Sequence, residues 1–181
     1  MLSTNFAGIE LKNPAVLASG IWGVNAELLM RAAKAGAGAV TIKSIGPRER
    51  DGHANPTVIA WEHGLLNAVG LPSSGYKEME EEWKLLEKSP VPVIASIYGA
   101  NVSEFEEVAK AVAFHKPAMI EVNISCPNSE KHGQLFGCNA EASTEVISTV
   151  KKEINIASRF YSFRREPYLD VERPELRARF L

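Results

Sequence analysis

The chain has 181 residues, 45% of them hydrophobic, 23% charged and 8% aromatic, with a formal net charge of −2, the composition of an ordinary globular protein. No run approaches the roughly 18 uninterrupted apolar residues of a membrane helix, and the opening MLSTNFAGIE has neither the basic nor the apolar region of a signal peptide, so a cytoplasmic protein without membrane association is expected. Two cysteines, Cys126 and Cys138, give no disulfide framework, and a charge near zero gives no general affinity for nucleic acid, so an anionic ligand must be held by local groups.

Residues 4–7 and 9–11 flank Gly8 and predict a small hairpin plugging one end of the structure. Residues 15–19 (AVLAS) read as a strand, 26–35 as a helix closed by Gly36, and 38–43 (GAVTIK) as a second strand. The segment 45–75 carries Gly46, Gly52, Gly64, Gly70, Gly75, Pro47, Pro56 and Pro72. Its apolar clusters VIAW and LLNAVGL argue against disorder and predict an ordered lid or ligand wall containing Asn67. Residues 76–88 place Met79, Trp83 and Leu86 at helical spacing, and 91–97 form a third strand. A helix over 103–115 opens with Ser103 as N-cap and with Glu104, Glu106 and Glu107 in its first turns, where the helix dipole favours negative charge. Residues 119–125 (MIEVNIS) are the fourth strand and 142–154 the fourth helix.

This alternation predicts an α/β fold of successive βα units, either a doubly wound sheet or half of an eight-stranded barrel, since periodicity does not choose between them. A complete barrel typically needs about 250 residues, more than this chain has. Charge usage divides the chain again. Residues 1–154 hold eleven lysines and three arginines against eighteen acids, whereas 155–181 hold six arginines, four acids and no lysine. The expected organisation is a body over 1–154 and an atypical Arg-rich tail over 155–181.

The unusual polar residues fall where strands end: Ser19 and Gly20, Lys43 and Ser44, Ser96, then Asn123, Ser125, Cys126 and Asn128. In parallel α/β folds that edge binds ligands. Lys43 closes an apolar strand, so its ammonium either snorkels to solvent or meets an anion. Cys126 is either an inert buried thiol or a reactive one. Pro127 turns the chain directly after it and no histidine lies within a few residues, which fits proton transfer better than a Cys/His nucleophile. AGAGAV precedes a strand and is no dinucleotide fingerprint, and no phosphate-binding P-loop occurs. Cys126, His132 and Cys138 match no common zinc spacing, so no metal is expected, and His53, His63 and His115 read as surface or packing residues.

ASG at 18–20, TIKS at 41–44, NAVGLP at 67–72 and NISCPN at 123–128 occur in this order. Together they resemble the N-terminal half of dihydroorotate dehydrogenases of the soluble class 1 kind. The resemblance implies a (β/α)8 TIM barrel, here its first four βα units plus the N-terminal hairpin, holding FMN at its C-terminal rim and oxidising dihydroorotate to orotate in pyrimidine biosynthesis. It implies that Cys126 is the general base at C5 of dihydroorotate while hydride leaves C6 for flavin N5, and that Lys43 serves both substrate and flavin. Asn67, with the backbone of Ala68, Val69, Gly70 and Leu71, would grip the pyrimidine ring and carboxylate. Asn123 would touch substrate and FMN, Asn128 would touch substrate, and Ser19, Gly20, Ser44 and Ser96 would line the flavin. The family's second half supplies a further flavin lysine, a second polar pair and a glycine-rich phosphate site, and nothing after Ile154 resembles them. The implied partners are a further copy of the chain and an iron-sulfur/FAD electron-transfer subunit; the NAD-linked kind is favoured over the fumarate-using one. Two alternatives stand beside a truncated or frame-shifted dihydroorotate dehydrogenase: a non-catalytic half-barrel needing a partner chain, and a flavin domain like that of dihydropyrimidine dehydrogenase.

Overall fold

Residues 2–125, 136–154 and 160–161 are described by a computed structural model. The chain opens with the expected hairpin, β1 (Thr4–Phe6) antiparallel to β2 (Ile9–Leu11). Five parallel strands follow among the described residues: β3 (Val16–Leu17), β4 (Ala39–Thr41), then, after the β5 (Val58–Trp61) and β6 (Gly64–Asn67) hairpin, β7 (Val93–Ile97), β8 (Met119–Val122) and β9 (Phe160–Tyr161). Helices α1 (Ala26–Lys34), α2 (Glu80–Leu86), α3 (Val102–Phe114) and α4 (Ala140–Glu153) connect them.

The sheet order β3-β4-β7-β8-β9 settles the architecture left open by periodicity. Each strand pairs with the one before it in the sheet, so the winding never reverses. A doubly wound sheet needs such a reversal, and a (β/α) barrel does not. The two faces of the sheet confirm this. Val40, Ile42, Ala95, Ile97, Ile120 and Val122 pack outward against Leu29, Trp83, Phe105, Val108, Val112, Val146 and Val150 of the helices, all buried in one cluster. The alternate residues Ala39, Ile94 and Met119 face inward and form a second cluster with Leu11, Phe6 and Ile9, so the first hairpin closes the amino end of the sheet. Each fully buried aliphatic or aromatic side chain here stabilises by roughly 1.5–3 kcal/mol.

Local chemistry explains the helix boundaries. Asn25 caps α1 by accepting from Leu28 N at 2.9 Å. At the other end Gly36 (φ +114°) closes a Schellman motif, with Gly36 N donating to Ala33 O (3.2 Å) and Ala37 N to Ala32 O (3.1 Å). The expected helix over 76–88 is split, because its first turn (Tyr76–Met79) is 3-10 and is tied by Tyr76 N to Gly46 O at 3.0 Å. α3 is capped by Asn101, not by Ser103. Asn101 has extended φ/ψ and accepts from Glu104 N at 3.0 Å, while the Ser103 hydroxyl donates to it from inside the first turn. α4 starts two residues earlier than expected because Asn139 accepts from Glu141 N and Ala142 N. The strand expected over 15–19 pairs only at Val16–Leu17, since the chain turns into a 3-10 turn at Ile21–Gly23. No helix among the described residues is long and apolar enough to cross a membrane.

Candidate functional site

The carboxyl ends of β3, β4, β7 and β8 meet in one polar cluster, and an irregularity in β4 builds it. Along the β4–β7 ladder, Ile42 N donates to Ile94 O (2.9 Å) and Ile45 N donates to Ser96 O (2.8 Å). β7 advances two residues between those bonds while β4 advances three, so β4 carries one extra residue, a bulge. Ile42 and Ile45 both stay in the outer core. All four residues from Ile42 to Ile45 border a cavity of about 310 Å³ at the carboxyl edge of the sheet, together with Gly23, Glu49, Arg50 and Ser73.

Beneath the cavity the hydroxyls form a chain. Ser44 Oγ lies 2.9 Å from Ser96 Oγ and 3.4 Å from Ser19 Oγ, and it accepts from Asn123 Nδ2 at 3.1 Å. Ser125 donates to Asn123 Oδ1 through both its N–H (3.3 Å) and its hydroxyl (3.1 Å). A backbone N–H only donates, so these bonds fix the orientation of the Asn123 amide. Ser96 and Ser44 are buried, at 0% and 3% exposure. Ser96 also hydrogen-bonds Glu121, the inward-facing residue next to it on β8.

Four sequence-predicted residues, Ser19, Ser44, Ser96 and Asn123, thus join in one hydrogen-bonded cluster, and Lys43 lines the cavity beside it. Gly20 begins the adjacent turn, its carbonyl accepting from Gly23 N at 3.0 Å. The segment predicted as a ligand wall is divided. Arg50 Nε donates to Gly70 O (2.8 Å), Arg50 and Ser73 exchange backbone hydrogen bonds, and Val69 O accepts from His53 N. Gly70 and Leu71 turn there at positive φ, and Pro72, Ser73 and Ser74 reach the cavity wall. Asn67 and Ala68 do not join them: both are exposed, Asn67 at the end of the β5–β6 hairpin. Cys126, Asn128 and His132 lie outside the described residues. Cys138 is an exposed free thiol.

Sequence reasoning missed Gly23, Arg50, Ser73 and Glu121. Gly23 lies against β4, its carbonyl accepting from Lys43 N at 2.8 Å. A Cβ there would stand 2.7 Å from Lys43 N and 2.8 Å from Thr41 O. Gly23→Ala is therefore expected to push β4 away from the turn and destabilise the protein by about 1–3 kcal/mol, seen as a lower Tm; an unchanged melt contradicts the close approach.

Burial pushes the Glu121 carboxyl above its ordinary range, and the hydrogen bond from Ser96 pulls less strongly the other way. The folded state then holds this proton more firmly than the unfolded chain does. That contribution to stability is complete below the ordinary carboxylate range and is lost as pH rises through the raised value. Glu121→Gln, which does not ionise, is expected to melt above the parent at neutral pH, the gap closing as pH falls toward the ordinary carboxylate range. A gap that ignores pH contradicts this.

A sheet wound in sequence order, sealed at its amino end and polar with a cavity at its carboxyl end, defines part of a (β/α) barrel with a candidate site on its rim. Residues 1–161 match the family model described as dihydroorotate dehydrogenase, and the chain belongs to that family. It is 47% identical over 160 residues to the dihydroorotate dehydrogenase B (NAD(+)) catalytic subunit of Methanocaldococcus jannaschii, covering 86% of this chain and 52% of that protein. Against the protein of the same description from Methanosarcina acetivorans the identity is 44% over 154 residues, covering 84% and 50%. The chain thus spans about half the length of the curated relatives it matches. The crystal structure of ligand-free dihydroorotate dehydrogenase from Eimeria tenella superposes with a TM-score of 0.74 at 21% identity, over 84% of this chain and 45% of that one; at that identity the likeness carries the fold alone.

Proposed function

We propose that this chain builds the N-terminal half of an FMN-binding rim that oxidises dihydroorotate to orotate in pyrimidine biosynthesis, as part of an NAD-linked enzyme with an iron-sulfur/FAD partner subunit. The observation that carries the proposal is the polar carboxyl edge of the sheet, where Lys43 and Ser44 line a cavity and Ser44 joins Ser19, Ser96 and Asn123 in one hydrogen-bonded cluster, in a chain that belongs to this family. The partner and the electron acceptor rest on the description of the relatives as NAD(+)-linked catalytic subunits.

The residues present fit such a group. Lys43 and Arg50 supply cationic groups that outnumber Glu49, the one carboxylate of the lining; Ser44 and Ser73 supply hydroxyls, and Gly23 leaves bare backbone where a side chain would intrude. Lys43, Ser44, Ser19 and Asn123 would hold the flavin, with Gly20 and Ser96 behind them. When bound, FMN would accept the hydride. The chain's own part is positioning and proton transfer. Lys43 sets positive charge where negative charge develops. Asn123, with its amide fixed by Ser125, presents a defined donor and acceptor pattern. Cys126 removes the C5 proton as general base. Asn128 and the backbone from Val69 to Leu71 would hold the pyrimidine ring and carboxylate, whereas Asn67 and Ala68, exposed on the β5–β6 hairpin side, stand outside the cavity wall.

Titration of the purified protein with FMN, followed by quenching of the flavin's fluorescence, tests the reading. Saturable one-to-one binding that weakens in Lys43→Met is expected. A colourless chain that binds no FMN and associates with itself overturns it in favour of a non-catalytic half-barrel.

A further inference from the structure

Glu121 stands one residue below the outward-facing Val122 and two below Asn123, opposite Ser96 in the β7–β8 ladder. It is the one acid in the apolar run of β8. A carboxylate in a strand buried on one face is costly unless it is paired or put to use. The hydroxyl chain gives it a use, because every link in that chain has a limited inventory of hydrogens.

With the carboxyl ionised, Glu121 only accepts, so the Ser96 hydroxyl donates to it. Ser96 Oγ then accepts from Ser44, 2.9 Å away. Ser44 has no hydrogen left, so it accepts both from Asn123 Nδ2 and from the Ser19 hydroxyl, 3.4 Å away. With the carboxyl protonated, Glu121 is able to donate to Ser96, Ser96 to Ser44, and Ser44 to Ser19. The Ser19 hydroxyl at the rim then changes from donor to acceptor, and Asn123 loses the charge-assisted acceptor behind Ser44.

We infer that Glu121 is a positioning residue for the rim: through Ser96 and Ser44 its protonation state sets the hydrogen-bond direction presented by Ser19 and the polarisation of the Asn123 amide. The inference rests on the proposed function only for what Ser19 and Asn123 hold, and not for the coupling itself. The charged group that β4 contributes here is Lys43. β3 and β7 contribute uncharged Ser19 and Ser96, and β9 sets Tyr161 opposite Glu121 in the ladder.

NMR of the ligand-free chain between about pH 4 and pH 8, a window that brackets the ordinary carboxylate range and values raised above it, tests the coupling directly. The observed signals are the Glu121 carboxyl carbon, the Asn123 side-chain amide and the Ser44 β-carbon. All three are expected to shift with one shared midpoint. The Asn123 and Ser44 shifts are expected to vanish in Glu121→Gln, while Ser96→Ala leaves the Glu121 carbon titrating and silences Asn123. Lys43→Met is expected to preserve the shared midpoint behaviour, because the route runs through hydroxyls and not through the ammonium. Flat Asn123 and Ser44 signals while Glu121 titrates overturn the inference, as does an Asn123 titration that survives Glu121→Gln. The wild-type titration decides the matter even if a variant fails to fold, and failure to bind FMN bears on the proposed function alone.

Discussion

Cys126→Ser is expected to slow the reduction of bound flavin by dihydroorotate about 10²–10⁴-fold, the usual weight of a positioned general base. FMN binding should change little. The substitution exchanges sulfur for oxygen at nearly constant shape, so it isolates acidity. An unperturbed thiol titrates near about pH 8.5, whereas a serine hydroxyl stays protonated throughout the usable range. The parent rate should therefore climb with pH as the thiolate forms, and the variant should lose that limb. Stopped-flow measurement of flavin bleaching, with FMN affinity measured in parallel, separates the outcomes. Loss of binding and of rate in equal measure would make the cysteine a structural residue.

Lys43→Met is expected to produce the second large effect. Methionine keeps much of the lysine stem and removes the charge, so packing around the bulge survives while the ammonium goes. Removing one preorganised charge-stabilising donor typically costs about 10²–10³-fold in rate. Lys43 should also favour the reduced, more negative form of the flavin, so the variant should bind FMN more weakly and reduce it at a more negative potential. Arg50 lines the same cavity, and its remaining charge sets a floor under the loss. A rate and a potential equal to those of the parent would mean that Lys43 points its charge to solvent.

Much of this was legible in the sequence because strand periodicity and strand-end polarity are local. Ser19, Lys43, Ser44, Ser96 and Asn123 stand out as polar residues ending apolar runs, and each strand delivers its end to the same edge. The winding was not legible, since it depends on which strand lies beside which. The bulge was not legible either: TIKS reads as a regular strand end, and only the slipped ladder from Ile42 to Ile45 reveals the extra residue. Ser103 reads as the cap because acids follow it, but the cap is the residue that leaves the helix in extended conformation, and that is Asn101. Gly23 carried no signal apart from being a glycine after a strand. Glu121 did carry one, an acid within MIEVNIS, and the apolar residues around it masked it. Asn67 shows the reverse: a motif position whose side chain lies exposed on a hairpin, outside the cavity wall.

The exposed β5–β6 hairpin also explains why reading 45–75 as a single wall was too simple. Its strands present Ile59, Trp61, Leu65 and Leu66 to solvent, each at least half exposed. The wall itself is made by residues 72–74, and Arg50 ties Gly70 and Ser73 in place by one side-chain and two backbone hydrogen bonds.

Anaerobic addition of dihydroorotate to the FMN-loaded protein is the most direct measurement of the central claim, that this rim unites a proton acceptor and a cation around a reducible ring. Bleaching of the visible flavin band with one orotate formed per flavin is the predicted result. Flavin that stays oxidised in the presence of bound dihydroorotate would contradict it.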